Sequence, residues 1–263
     1  MRSTPAFLLA AAVALPAPAQ PSSPPPDVPE TPIEIPDPTP TGLLVAWKPS
    51  LLSVRLDTGK GSQFGSDKLQ PLRFLGRYTA RFSPTKPYFG RLEIEGGRFE
   101  TEDQGIGSTG ADLTARLLAG TATRITSGVL LVASAGLLTR YQWGSAVGGA
   151  PKLGIWGVDS NLELAIRLFP TITLSLYVEG AIAPFPYLAQ KNLGDLSDAD
   201  EVRARIQLSV DLSHSLTLDV GYDFTRWHAS FVSSTILGNA APDQALLIES
   251  REHAATLGLR YKM

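Results

Sequence analysis

The sequence predicts an all-β chain that closes into a single antiparallel up-and-down barrel crossing a membrane, built from about ten strands, with eight or twelve as the neighbouring counts. Three observations carry that expectation. Apolar and polar residues alternate with period two in successive segments, charged residues keep to one parity of each segment, and long and short gaps take turns between segments. In NLELAIRLFPTITLSLYVEG, one parity holds Leu162, Leu164, Ile166 and Leu168, then Ile172, Leu174, Leu176 and Val178 after a Pro turn. The other parity holds Asn161, Glu163, Arg167, Thr173, Ser175 and Glu179. Such a hairpin has one apolar and one polar face, and a membrane barrel turns the apolar one outward.

The elements follow in order. Residues 1–19, MRSTPAFLLAAAVALPAPA, combine Arg2, an apolar run from Ala6 to Leu15 and the cleavage motif Ala17-Pro18-Ala19. This is the anatomy of a secretory signal peptide cut before Gln20. Residues 20–42 are Pro-rich and weakly acidic. Their composition favours extended polyproline II and predicts a semi-rigid periplasmic spacer, with a docking tether for a periplasmic or envelope-complex protein as the other reading. No later stretch approaches the roughly 18 apolar residues of a membrane helix, so any crossing must be made by strands.

The barrel is expected over 43–263, with strands LSVRLD at 52–57, LRFLGRYTARF at 72–82, YFGRLEIEG at 88–96, ADLTARLLA at 111–119 and VLLVASAGLLTRYQW at 129–143. VDSNLELAIRL at 158–168, ITLSLYVEGAI at 172–182, VRARIQLSVDL at 202–212, LTLDVGYDF at 216–224 and ATLGLRYKM at 255–263 complete the set. Most match the roughly 9–11 residues a tilted strand needs to cross hydrocarbon; the first is short and is expected to extend back past Pro49.

Charge sets the phase. The cations Arg55, Arg73, Arg77, Arg81, Arg91, Arg116, Arg140, Arg167, Arg203, Arg205, Arg260 and Lys262 all lie opposite the apolar parity of their own segment. So do the anions Asp57, Glu93, Glu95, Asp112, Asp159, Glu163, Glu179, Asp211, Asp219 and Asp223. A lipid-facing surface must exclude them, because Arg or Lys at the bilayer midplane costs about 2–4 kcal/mol. These residues are therefore expected to line the lumen and to pair across it.

Gaps and aromatics orient the barrel. The gaps 58–71, 97–110, 144–157, 183–201 and 225–254 are long, and 83–87, 120–128, 169–171 and 213–215 are shorter. With both termini periplasmic, every long gap falls outside the cell, as bacterial barrels arrange them. Phe74, Tyr141, Trp143, Trp156, Tyr222 and Phe224 are then expected in an outer girdle, with Phe82, Tyr88 and Tyr261 in a periplasmic one.

The closing strand, AATLGLRYKM, resembles the C-terminal signature of bacterial outer-membrane β-barrel proteins: Ala255, Leu257, Leu259 and Tyr261 occupy its alternating positions, and Met263 stands where that class usually has Phe. The resemblance covers residues 43–263 as architecture and identifies no subfamily within the small porin-like and OmpA-like barrels. It implies residence in the outer membrane of a Gram-negative envelope, contact with its lipid and lipopolysaccharide, and recognition by the barrel assembly machinery through the last strand.

Function is narrower in what it excludes. A net charge of −2 fits no nucleic-acid partner, and the absence of cysteine removes disulfides, thiolate metal sites and a lipid-modified N-terminal Cys. His214, His228 and His253 are scattered without metal-ligand spacing, and neither cofactor nor metal is expected. The expected role is structural, surface-interacting or scaffolding, without catalysis. A ten-stranded interior is only slightly wider than one that side chains fill, so the alternative is a narrow channel for small, anionic solutes along Arg73, Arg77 and Arg81. The second alternative is an enzyme. His228 and Ser230, with Glu249, Glu252 and His253 across the same gap, resemble the outward-facing His-x-Ser of lipid A deacylases; Asp219, Asp223 and His228 are the only material for an omptin-like protease. Arg226, Arg251, Lys60, Lys68, Lys152 and Lys191 are candidates to meet lipopolysaccharide phosphates.

Overall fold

The computed structural model describes residues 41–57, 62–83, 86–103, 106–144, 152–189, 195–232 and 246–263. The expected signal peptide, nearly all of the spacer, Lys60 and Lys191 lie outside these residues. Among the described residues twelve strands form: β1 (Gly42–Trp47), β2 (Ser50–Asp57), β3 (Ser62–Gln70), β4 (Arg73–Arg81), β5 (Tyr88–Asp103) and β6 (Ile106–Thr126), then β7 (Val129–Gly144), β8 (Leu153–Phe169), β9 (Ile172–Ala189), β10 (Asp195–Asp211), β11 (Leu216–Val232) and β12 (Leu246–Lys262). Proline explains why twelve segments make ten crossings. Pro49 and Pro71 lack the N–H a ladder needs, so β1 and β2 are one spanning strand broken at Lys48-Pro49, and β3 and β4 another broken at Pro71-Leu72. Lys48 N donates to Arg73 O (2.9 Å), Ala255 N to Pro49 O (3.1 Å) and the Trp47 indole N–H to Pro71 O (2.7 Å), which carries the ladder through both breaks.

All neighbours pair antiparallel, and β1 joins β12 to β4, so the sheet closes as a ten-stranded barrel, as expected from the sequence. The first strand does reach back past Pro49, to Gly42. Stepping through directly paired residues from Leu43 by way of Tyr78, Leu92, Leu117, Leu137, Val158, Ile182, Asp200, His228 and Glu249 returns to the starting strand at Arg55, twelve residues farther along. For ten strands that offset gives a tilt of about 40° and a backbone radius of about 10 Å.

The strands are longer than one membrane crossing requires. β5 to β12 run from 16 to 21 residues. Much of the expected long gaps is strand: 58–71 contains β3, and 97–110 is largely the ends of β5 and β6. Both described termini and the turns at 127–128, 170–171 and 212–215 share one end, here the terminal end; the opposite one is the loop end. The outward row of β10, Val202, Ala204, Ile206, Leu208 and Val210, is uncharged until Asp200, and that of β11, Leu218, Val220, Tyr222 and Phe224, until Arg226. Five outward positions cover ten residues, about 33 Å of strand, which at this tilt is about 25 Å of height, the apolar band of a membrane barrel. The barrel therefore has a lower storey ringed by an apolar belt and an upper storey that projects beyond it.

The two storeys have opposite interiors. Below, the inward rows are mainly ionic, with two small apolar groups among them, Leu44, Ala46 and Leu75, and Phe89, Leu130 and Val132. Above, they are apolar: Leu246 and Ile248 of β12, Trp227, Ala229 and Phe231 of β11, Leu153 and Ile155 of β8 and Phe99 of β5 form one buried cluster. Leu52 and Val54 belong to it too, which corrects the phase expected for the first segment: they face inward, while Arg55 points out, 3.3 Å from the Asp57 carboxylate. Above the belt the exterior is water, so a strand there keeps its apolar side in, as a soluble barrel does.

Candidate functional sites in the lumen and on the outer wall

Alternation through β4 to β12 carries nearly all the expected lumen residues onto the inner wall. Arg73, Arg77, Arg91, Glu93, Glu95, Arg116, Arg140, Asp159, Glu179, Arg203, Arg205, Asp219 and Asp223 are buried, and Glu163 is half-buried. The decisive pair joins opposite walls. Four spanning strands separate β5 from β10 in either direction, yet Arg203 of β10 places Nη1 2.9 Å from Glu93 Oε1 and also bonds Glu95, both on β5. Arg203 has no exposed surface. Around this bar, Arg116 meets Glu179 (2.8 Å), Asp159 (3.2 Å) and Glu201, and Arg140 meets Glu201 (2.9 Å). Arg73 meets Asp112 (2.7 Å) and Glu252 (3.0 Å), Arg77 meets Glu93 (2.7 Å), and Arg205 bonds Asp223. Taking each ion out of water costs several kcal/mol, and multiple partners per guanidinium offset that cost.

Toward the terminal end the network loosens. Arg91 lies 3.7 Å from Glu163, Arg260 2.8 Å from Asp219, and Lys262 2.6 Å from the half-buried Asp211. Arg81 and Arg167 sit near the rim, where they donate to the carbonyls of Lys86 and Phe169 at 3.2 Å. Toward the loop end, the Arg140 guanidinium lies 4.9 Å above the Trp227 ring, which couples the ionic layer to the apolar cluster. Three members of the network fall just outside the segments the sequence marked: Lys48, bonded to Glu95, and Glu201 and Glu252. Extending the parity of β10 and β12 by a few residues finds Glu201 and Glu252; Lys48 escapes it, because it shares the parity of Leu52 and Val54, which the sequence places outward.

The expected girdle residues Phe74, Trp143, Trp156, Tyr222, Phe82, Tyr88 and Tyr261 are exposed on the outer wall, and Tyr141 and Phe224 are half-buried. Between the girdles, a groove of about 1080 Å³ crosses the belt over Ala119, Ala135, Ser160 and Gly180, directly paired on four successive strands.

Above the belt the outer wall turns polar. Asp200 of β10 is directly opposite His228 of β11, Asp198 is opposite Ser230, and Arg226 is opposite Arg251 of β12. His228 Nδ1 stands 2.9 Å from Asp200 Oδ2. Glu249 accepts from Arg226 (2.9 Å) and Arg251 (3.0 Å). Burial pushes the Glu249 carboxyl up, but the hydrogen bonds and charges of Arg251 and Arg226 outweigh it and hold it below its usual value. Of the carboxylates expected near His228, Glu252 faces the lumen and Glu249 is taken by arginines; the carboxylate that His228 bonds is Asp200. His253 instead meets the Tyr222 hydroxyl at 2.6 Å. Asp219 and Asp223 are in the lumen, on the other side of the wall from His228.

No protein-family model and no curated protein matches this sequence. Solved structures do. The outer-membrane protease OmpT from Escherichia coli is similar at a TM-score of 0.50 and 11% identity, over 86% of this chain and 98% of that one. The translocator domain of the autotransporter NalP from Neisseria meningitidis gives 0.45 and 12%, over 86% and 90%. OprG from Pseudomonas aeruginosa gives 0.36 and 9%, over 85% and 97%. At these identities the likeness is one of fold, and on closure, strand number and direction together the chain has the fold of a bacterial outer-membrane β-barrel protein.

Proposed function

We propose that this protein is a non-conducting integral barrel of the Gram-negative outer membrane, with both termini in the periplasm, whose interior is structural and whose working surface is the outer wall and loop end above the belt. The observation that carries this is the Arg203 bar from β10 to Glu93 and Glu95 on the facing wall. A lumen bridged across its diameter by buried ion pairs, beneath an apolar cluster that includes Trp227 and Phe231, supports this reading, because both would interrupt the file of water that an ion needs. The long apolar-in, polar-out upper storey suits a scaffold that presents a surface outside the membrane. Arg226 and Arg251, standing just above the belt, suit contact with lipopolysaccharide phosphates, and the last strand suits recognition by the assembly machinery.

Planar-bilayer recording tests this directly. The purified barrel is expected to pass no steady current at either polarity, and Arg203→Ala combined with Arg116→Ala is expected to open a measurable leak. A steady ohmic conductance from the wild-type protein would replace this reading with the narrow channel.

A further inference from the structure

We propose that Asp198, Asp200 and His228 form a site for one divalent transition-metal ion on the outer wall just above the apolar belt, clamping β10 to β11. This goes beyond a scaffold role and holds whether or not the lumen conducts. It also departs from the expectation of no metal, which rested on spacing along the chain; these donors come from two strands and meet only across the ladder.

The arrangement follows from strand geometry. Alternation puts Trp227, Ala229 and Phe231 of β11 and Ala199 and Glu201 of β10 on the inner wall, so His228, Asp198 and Asp200 point outward. Asp200 is directly opposite His228, and its Oδ2 stands 2.9 Å from Nδ1. Strand rise alone would set Asp198, the next outward residue of β10, about 7 Å from Asp200. The register shifts between Leu196 and Asp198, however, and Ser197 is the extra residue; its hydroxyl donates to the Ser230 carbonyl at 3.0 Å. Such a bulge re-aims the side chain beside it, and one donor atom each of Asp198, Asp200 and His228 lies within 4.8 Å of the others. An ion about 2.1 Å from each donor spaces them about 3–4 Å apart, a contraction that side-chain rotation supplies. Behind them Ala199 and Ala229 are directly paired without exposed surface, so the upper core fixes the backbone that carries the donors.

Charge points the same way. Among the described residues no Arg or Lys pairs with Asp198 or Asp200. The outward cations Arg226 and Arg251 are taken by Glu249, which is opposite His228 on its other side, and the residue opposite Asp200 on β9 is the apolar Ile182. Two carboxylates beside one neutral imidazole leave two negative charges, which a divalent ion neutralises as it displaces the hydrogen shared by His228 and Asp200. A nitrogen donor with two carboxylates suits Zn²⁺ or Mn²⁺ better than Ca²⁺ or Mg²⁺, which take oxygen ligands throughout. Three protein donors on the outer face leave the remaining coordination positions open to water.

The full chain, folded in detergent and stripped with EDTA, is titrated with manganese chloride and read by electron paramagnetic resonance. One ion per barrel is expected, displaced by Zn²⁺ but not by Ca²⁺, with a nitrogen coupling from the imidazole in the spin-echo spectrum. Asp198→Asn and Asp200→Asn are each expected to weaken binding about a hundredfold, and His228→Gln to weaken it as far and to remove the nitrogen coupling. Glu100→Gln, at an exposed carboxylate on β5, is expected to change nothing. Heat-modifiable gel migration reports that each variant is a folded barrel, and Asp198, which is exposed, decides the matter if His228→Gln does not fold. The proposal is overturned if the folded wild type binds neither Mn²⁺ nor Zn²⁺, if Asp198→Asn binds as tightly as wild type, or if Ca²⁺ competes as well as Zn²⁺.

Discussion

Arg203 is the residue on which the lumen turns. It bonds Glu93 and Glu95 on the opposite wall and stands 3.4 Å from Asp223, with no exposed surface of its own. Truncating it strands carboxylates in a low-dielectric interior, and the cost is the desolvation of unpaired charge rather than the worth of one contact. Arg203→Ala is expected to lower unfolding stability in detergent by about 3–5 kcal/mol, read as a lower urea midpoint, and Arg203→Met with Glu95→Gln is expected to recover part of that loss. Equal stability of Arg203→Ala and wild type would mean that the network is solvated. Its membership was readable from parity for residues such as Arg116 and Glu93. The identity of partners was not, because residues such as Glu93 and Arg203 meet only once the sheet is closed and parity says nothing about what lies across a diameter.

A single strand can carry two opposite patterns, and this is where reading alternation alone misleads. In β10 the outward row is Val202, Ala204, Ile206, Leu208 and Val210 within the belt, and Asp200 and Asp198 above it. In β2 the whole strand is above the belt, so Leu52 and Val54 turn inward and Arg55 outward. Period two is the same in both, and only the environment differs: hydrocarbon around the lower storey, water around the upper. Val54→Asp is therefore expected to destabilise the barrel by about 3 kcal/mol or more, by burying an unpaired carboxylate, and Arg55→Ala to stay within about 0.5 kcal/mol of wild type. If thermal unfolding in detergent gave the reverse order, the first strand would have the phase its sequence implied. The breaks at Pro49 and Pro71 were half legible: both prolines interrupt the pattern, but only the paired ladder reveals that each joins two parts of one crossing.

At the scale of the molecule, closure and strand direction were legible because they rest on many weak signals that agree, from the alternation of gaps to the C-terminal strand. The height of the barrel was not. Among the described residues, much of the expected gaps is strand extension whose apolar residues, such as Phe99, Ile155 and Phe231, point into the barrel and make a second apolar core above the ionic one. The outer-wall group around His228 depends on that height, because it stands where β10 and β11 leave the belt. Two storeys with opposite exteriors are thus the central claim, and cysteine accessibility in reconstituted vesicles tests it most directly, since the natural chain has no cysteine to label. Single substitutions Leu218→Cys and Val220→Cys are predicted to resist a water-soluble maleimide and to be quenched by a lipid-borne nitroxide once labelled in denaturant and refolded, whereas Val232→Cys reacts readily with the vesicles intact. Ready reaction at Val220→Cys, or protection at Val232→Cys, would contradict it.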